Sequence, residues 1–441
     1  MVSRRWLALY RNSPRLRRLT QNVGALGLAG SINLGLRFLV FAYAARALGA
    51  GSFGVFSSAY ILTSLVFRAA EFGLAVITSR EVARDHDLAS EYLGNGLVLR
   101  FIAGALGVAL VWGVGRLLRY DAEGMQVVYM LAAYWMLDTL TRLMLAIFQA
   151  YERMGYNAIV VGAGSGLVVL FSAIAFVSSK TAVGLAQAFL LAGLVQFFLA
   201  ASIVHTRFAP LSLRFQTAFS RRLLLEAYPL AITSLLSMVY SRVDVLLLTR
   251  LQSKTDVGLY NAAYTLLIGM FIIFDAVLGA VFPLLSQFYH ARSPQLRRTF
   301  IGTFSLMSLV GLTLAVIGLF LAKPIIVLAY GASYAPAAKV LKLLLWGGFL
   351  IFANNTCMVT LNAIDRQQVV TRVVAIAAPL NVLINLALIP HYSFMGAGVA
   401  TVVTEGFVLV ATYWKLRRFF ATWQINTAPR SWCSWMPYWG R

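Results

Sequence analysis

The chain has 441 residues, of which 60% are hydrophobic and only 12% are charged, with 37 Lys and Arg against 15 Asp and Glu. An average soluble domain carries about 25% charged residues, so a soluble enzyme, a disordered chain and a secreted disulfide scaffold are excluded, and a polytopic membrane protein remains. The net charge of +22 falls mostly in short loops between apolar runs, where it orients a membrane protein rather than holding nucleic acid.

A bilayer core about 30 Å thick needs about 20 apolar residues per helix. Twelve segments reach that length, at roughly 22–45, 55–78, 93–115, 127–149, 157–178, 183–204, 224–250, 258–284, 300–322, 338–363, 368–390 and 396–415. Barrel-type alternation is absent, so the fold class is an all-α membrane bundle. The first run follows basic residues, but it is too long for a signal-peptide core and contains Arg37, so it reads as a retained span. Before it, residues 1–21 form a basic segment, and after the last span residues 416–441 form a Trp-rich tail. One side of the membrane collects 22 Lys and Arg, including both termini, and the other collects seven: Arg46, Arg116, Arg119, Lys180, Arg250, Lys254 and Lys323. The bias predicts cytoplasmic termini.

The chain repeats itself. Phe53-Gly54-Val55-Phe56-Ser57-Ser58-Ala59-Tyr60 matches Val257-Gly258-Leu259-Tyr260-Asn261-Ala262-Ala263-Tyr264, and the same offset pairs Arg46 with Arg250 and Glu71 with Asp275. A second echo pairs Gln149–Arg153 with Asn362–Arg366. An offset of half the chain spans six helices, which keeps both copies in one orientation. The expectation is a parallel repeat of two six-helix lobes, 22–204 and 224–415, joined by a cytoplasmic linker at 205–223, with the substrate path between them.

Charges inside apolar spans carry the most information, since each costs at least ~2.5–3.5 kcal/mol on a lipid-facing helix. The basic members are Arg37, Arg68, Arg142, Arg242 and Arg372; the acidic ones are Glu71, Asp138, Asp244, Asp275 and Glu405. Arg100, Glu226, Lys339 and Lys342 sit nearer span ends and could snorkel, and snorkelling is the better reading of Arg372. Arg68 with Glu71 and Asp138 with Arg142 have helical pair spacing and could be structural. Arg37 has no carboxylate within helical reach. Tyr134, Asp138, Thr141, Arg142 and Gln149 form a polar stripe; Ser234, Ser237, Ser241 and Asp244 form another, and Asn381 and Asn385 share a face near the kink expected at Pro379. Arginine stays protonated and binds oxyanions with a planar fork, so several in one cavity favour an anionic ligand such as a diphosphate.

Other motifs fall away. Asp85-His86-Asp87 resembles a metal–nucleotide triplet but reads as a solvated charge run. Gly162–Gly166 lies inside an apolar span, where small residues serve helix packing. His86, His205, His290 and His391 are scattered, Cys357 and Cys433 make neither a disulfide framework nor a zinc site, and no Walker motif is present, so no cofactor or metal is expected.

Ala45–Phe56, Val257–Tyr264, Gly331–Ala337 and the stretch from Asn381 through Pro390 to Gly396–Thr401 resemble the polysaccharide-transport proteins, the O-antigen and lipid-linked oligosaccharide flippases of the superfamily shared with multidrug extruders and the peptidoglycan-precursor flippase. The resemblance covers roughly 20–415. It implies twelve helices in two lobes, a V-shaped cavity and alternating access. It also implies a transporter rather than an enzyme, moving a polyprenyl-diphosphate oligosaccharide to the outer leaflet of a bacterial inner membrane, among membrane lipids and with a polysaccharide polymerase as a candidate partner. Cavity arginines vary among members, so Arg37, Arg68, Arg142 and Arg242 are chosen as the substrate-binding set on burial and charge alone. Glu71, Asp138, Asp244, Asp275 and Glu405 are chosen as ion-coupling or charge-neutralising groups. The rival readings are a cation-coupled drug exporter of the same fold, a membrane glycosyltransferase or ligase, and a scaffold for polysaccharide assembly.

Overall fold

The computed structural model describes residues 14–71, 73–210 and 215–423, with the side chains of 14–29, 31–32, 34, 226–239, 241, 272–273 and 275–276 outside the description. The described chain is helical throughout: α1 (Pro14–Ala69), α2 (Leu74–Arg84), a 3-10 turn at His86–Leu88, α3 (Ala89–Leu117), α4 (Ala122–Ala150), α5 (Met154–Ser178), α6 (Ala182–Arg207), α7 (Thr217–Leu251), α8 (Lys254–His290), α9 (Gln295–Tyr330), a second 3-10 turn at Ala332–Tyr334, α10 (Ala337–Ala363) and α11 (Gln367–Thr422). Among the described residues eight helices are long and apolar enough to cross a membrane. The other two long helices, α7 and α8, hold undescribed side chains within their spans.

Two helices are hairpins. In α1 the bend is Gly49, whose φ of 73° and ψ of 168° suit a residue without Cβ. The limbs fold back on each other, so the Phe41 and Tyr60 rings meet at 5.2 Å. In α11 the bend is Ser393, at φ 49° and ψ −136°, and Asn381 donates to Thr404 across it at 3.2 Å. Gly396 allows the return limb to approach, because a Cβ there would lie 2.6 Å from the Leu388 carbonyl oxygen. With both bends counted, the long helices supply twelve segments, and these pack as two groups, one ending with α6 and one beginning with α7.

One boundary differs from the sequence reading. The second span was expected to run to 78, yet its helix stops at Ala69, and Gly73 turns the chain in a left-handed conformation before the amphipathic α2. Hydropathy averaged over a span does not register this break, because Arg68 and Glu71 stand among many apolar residues on both sides.

The groups meet chiefly along the second limb of α1 and α8, the two segments that carry the repeat. A Cβ at Gly54 would run into the Lys254 carbonyl oxygen, and a Cβ at Gly258 into the Ala50 carbonyl oxygen. One turn on, Asn261 Nδ2 donates to Ser57 Oγ at 2.9 Å. The repeat offset turns the first of these contacts into the second and relates Ser57 to Asn261, so a local twofold axis passes between the glycines. The same end is closed further by Tyr334 donating to the Ala45 carbonyl at 2.8 Å and by the Lys254–Asp121 ion pair at 2.8 Å. At the opposite end, Asn95 Oδ1 accepts from the Gln216 amide at 2.7 Å and the Ser220 hydroxyl at 3.1 Å, which ties the start of α7 to α3.

Candidate functional site

A cavity of about 670 Å³ opens between the groups, below the glycine contact. Its walls are Gly35 to Phe41 on the first limb of α1, Ser57 to Arg68 on the second, Trp135 of α4, Arg242 of α7, and Asn261 to Gly269 of α8. Arg37, Arg68 and Arg242 therefore share one cavity, and no Asp or Glu is among its described lining residues.

Each of the three is held by neutral groups. Arg37 donates from Nε to Asn33 Oδ1 at 3.0 Å, from Nη1 to the Tyr60 hydroxyl at 2.9 Å and from Nη2 to the Tyr134 hydroxyl at 3.1 Å. Asn33 is fixed in turn by the Ser165 hydroxyl at 2.7 Å. A guanidinium has five N–H donors, so two remain for a ligand. Arg68 lies over the Trp135 ring at 5.2 Å, and Arg242 over the Tyr264 ring at 4.1 Å; both are cation–π contacts that leave the fork edge free. Tyr60 and Tyr264 close the two copies of the repeat, so each lobe rests its first-helix arginine on the same tyrosine.

Arg142 is placed differently. Its Nε lies 2.7 Å from Asp138 Oδ2 and 3.0 Å from Glu71 Oε1, and it is absent from the described cavity wall. The expected Arg142–Asp138 pair forms, whereas the expected Arg68–Glu71 pair gives way to Glu71 with Arg142. The cause is the helix end at Ala69: Glu71 sits in the turn beyond, where i,i+3 spacing no longer sets the geometry.

Arg100 corrects a second expectation. It does not snorkel but is 1% exposed, with Nη1 on the Thr139 carbonyl and with Nε and Nη2 unpartnered. Gly96 and Gly104 flank it at helical spacing and bring α3 onto Leu143 and Met136 of α4, so Arg100 is carried inward with the small-residue face. Lys339, Lys342 and Arg372 are exposed.

The acids of the second group lack a base within 4 Å among the described residues. Asp244 is buried, accepting from the Tyr260 hydroxyl and the Val245 amide. Glu405, 8% exposed, accepts from the Tyr240 hydroxyl at 2.6 Å and Asn354 Nδ2 at 2.8 Å. The Asp275 and Glu226 side chains lie outside the described residues, as do those of Ser234, Ser237 and Ser241. Among the described residues, His, Cys, Asp and Glu do not gather in threes that would hold a metal ion.

Sequence reasoning missed Tyr60, Trp135, Tyr240, Tyr260, Tyr264 and Asn354 as partners of these charges. The repeat was the available signal for Tyr60 and Tyr264, since both copies end on them.

Comparison with known proteins agrees with this architecture. The family model described as "Polysaccharide biosynthesis protein" matches residues 19–289, and the MatE model matches 229–387. A probable low-salt glycan biosynthesis flippase, Agl15 of Haloferax volcanii, is 23% identical over 386 residues, covering 86% of this chain and 79% of that protein. The capsular polysaccharide biosynthesis protein CapF of Staphylococcus aureus is 26% identical over 200 residues, 44% of this chain and 49% of that one. Among solved structures, an inward-facing multidrug resistance MATE family transporter of the MOP superfamily superposes with a TM-score of 0.73 at 13% identity, covering 89% of this chain and 96% of the other. The lipid II flippase MurJ, in an inward closed conformation, superposes with 0.70 at 14% identity, covering 88% and 87%. With well over half of its residues matched by the family model, the chain belongs to the polysaccharide biosynthesis protein family and has the fold of MOP-superfamily transporters.

Proposed function

We propose that the chain is a flippase that carries a polyprenyl-diphosphate-linked oligosaccharide from the inner to the outer leaflet of a bacterial inner membrane by alternating access. The observation that carries this reading is the cavity wall: three guanidinium groups on neutral partners, and no described carboxylate. A cation-coupled exporter, the rival on the same fold, would need acids where these bases stand. Arg37 and Arg242, one from each lobe, and Arg68 clasp the diphosphate. The glycan occupies the wet part of the cavity. The lipid leaves sideways past Gly35 and Gly269, beside which a Cβ would meet nothing within 4 Å.

Arg142 takes the role of neutralising Asp138 and Glu71, and leaves the substrate set. Asp244 and Glu405, without a described base, are the acids that could take a coupling proton, and Asp275 stands with them as an expectation from the repeat. With the termini in the cytoplasm, the glycine contact is the outer gate and the cavity faces inward. A diphosphate with about two negative charges gains ~4–5 kcal/mol per 100 mV on leaving a negative interior, so membrane potential alone can drive export.

The test is flipping of a fluorescent polyprenyl diphosphate in proteoliposomes. Arg37→Gln with Arg242→Gln should reduce it by about a hundredfold or more, the loss of two charge-assisted contacts. Unaltered flipping in the double variant would refute the assignment.

A further inference from the structure

The side of the membrane opposite the termini is poor in bases, yet Arg119, Arg250 and Lys254, three of the seven on that side, line one cavity. This second cavity, of about 290 Å³, lies between the lobes at the turns joining α3 to α4 and α7 to α8. No carboxylate is among its described lining residues. The neighbouring Asp121 is already engaged by Lys254 at 2.8 Å and caps α4 through the Gly124 amide at 3.2 Å. Among the described residues neither Arg119 nor Arg250 has an acid within ion-pair distance. Charge balance at a closed interface predicts acid facing base, so two bases facing each other's lobe across a polar hollow call for an anion.

The rest of the wall suits an oxyanion. Ser58, Tyr120, Thr249 and Gln252 bring hydroxyls and an amide. The cavity also lies at the N-terminal end of the 37-residue α8, where Ser253 and Lys254 line it; Ser253 Oγ caps the Asp256 amide at 3.2 Å and the Asp256 carboxylate already meets the helix dipole, so the pull on an anion comes from the three bases. Helix register gives its place on the transport path. On the second limb of α1, Gly54, Val55 and Ser58 face this hollow, while Ser57, Ile61 and Ser64 face the central one. The Gly54–Gly258 contact and the Ser57–Asn261 hydrogen bond lie between the two.

We propose that this outer hollow is a second anion site, which receives the phosphate-bearing head of a membrane lipid as it leaves the central cavity through the parted α1–α8 contact. The inference rests on the flippase reading. The two sites differ as a donor and a receiver should: Arg37 lies inside the bundle, whereas Arg119 and Lys254 are exposed. Water screens the outer set, so it holds the head more weakly and releases it. The phosphate has two possible sources, the flipped cargo or a phospholipid already in that leaflet.

The test uses full-length protein in proteoliposomes and a farnesyl diphosphate bearing a dithionite-quenchable fluorophore. Arg119→Gln with Arg250→Gln should slow flipping by about tenfold while probe affinity stays within about twofold, because the entry site is untouched. Arg119→Lys with Arg250→Lys should restore most of the rate, which separates charge from packing. Equal loss in vesicles of phosphatidylcholine and in vesicles containing phosphatidylglycerol assigns the phosphate to the cargo; loss only with phosphatidylglycerol assigns it to the resident lipid. Arg37→Gln runs beside these. If it abolishes flipping while the outer double variant flips at the original rate, the outer site is refuted and the flippase reading stands. If neither variant has an effect, the flippase reading falls first.

Discussion

Arg37 and Arg142 are both mid-span guanidiniums, but their surroundings assign them opposite work. Arg142 faces two carboxylates, so its charge is spent inside the protein; Arg37 faces an amide and two phenols, so its charge is still available. Removing them should therefore fail in different ways. Arg142→Ala strands Asp138 and Glu71, and the loss should fall toward the low end of the ~3–5 kcal/mol typical of a broken buried pair, since 38% of the Arg142 side chain is exposed. Arg37→Ala strands no carboxylate in direct contact, so its thermal midpoint in detergent should fall less than that of Arg142→Ala while flipping is lost. An Arg142→Ala protein as stable as the original, and inactive, would return Arg142 to the ligand set. The sequence was enough to pick out these residues, because charge in an apolar span is visible without a structure. Their partners were not visible: Glu71 left the helical register at Ala69, and phenols give no charge signal. Arg100 was legible in principle, for Gly96 and Gly104 at its own helical spacing marked the face as one that packs closely.

Helices add what single residues cannot, a symmetric joint. The repeat at 53–60 and 257–264 was read as evidence of two lobes, and the structure makes it the contact between them, where backbone meets backbone because neither Gly54 nor Gly258 carries a Cβ. A Val at either position must push α1 and α8 apart. Overpacking of this kind costs about 1–3 kcal/mol, here levied on the closed state alone, so Gly54→Val should make the outer end accessible to a membrane-impermeant thiol reagent at a cysteine placed at Ser58. Gly113→Ala is the control: nothing lies within 4 Å of a Cβ there, and a helix gains about 1 kcal/mol from the change. Labelling that does not rise in Gly54→Val would mean that the contact is no gate. The bends were harder to foresee than the joint. Hydropathy gave the approximate extent of most spans, but Gly49 and Ser393 turn the chain in single residues, where the sequence reading expected short loops.

At the scale of the molecule, the proposed cycle opens the closed end once per turn, and the bonds there differ in how they can be broken. The Lys254–Asp121 pair is half-exposed on both sides, so it contributes at most about 1 kcal/mol. The Lys254 ammonium holds the Asp121 carboxyl below its ordinary range; a lowered acid contributes above the ordinary range and loses its contribution only as pH falls through the lowered one. Between about pH 5 and 8 this pair is therefore constant, and any pH dependence of flipping in that window has to come from another group. The Ser57–Asn261 bond offers a decisive handle, because it crosses the axis at 2.9 Å between the two cavities. Cysteines at Ser57 and Asn261 should bridge under mild oxidation, locking the outer end shut. Flipping should then stop, and a reductant should restore it, while each single cysteine variant responds to neither treatment. Binding of the diphosphate probe should survive the lock, since Arg37, Arg68 and Arg242 lie on the far side of the bond. A bridged protein that still flips would show that the head group travels by a route other than the seam between α1 and α8, and the alternating motion of two lobes about that seam would have to be abandoned.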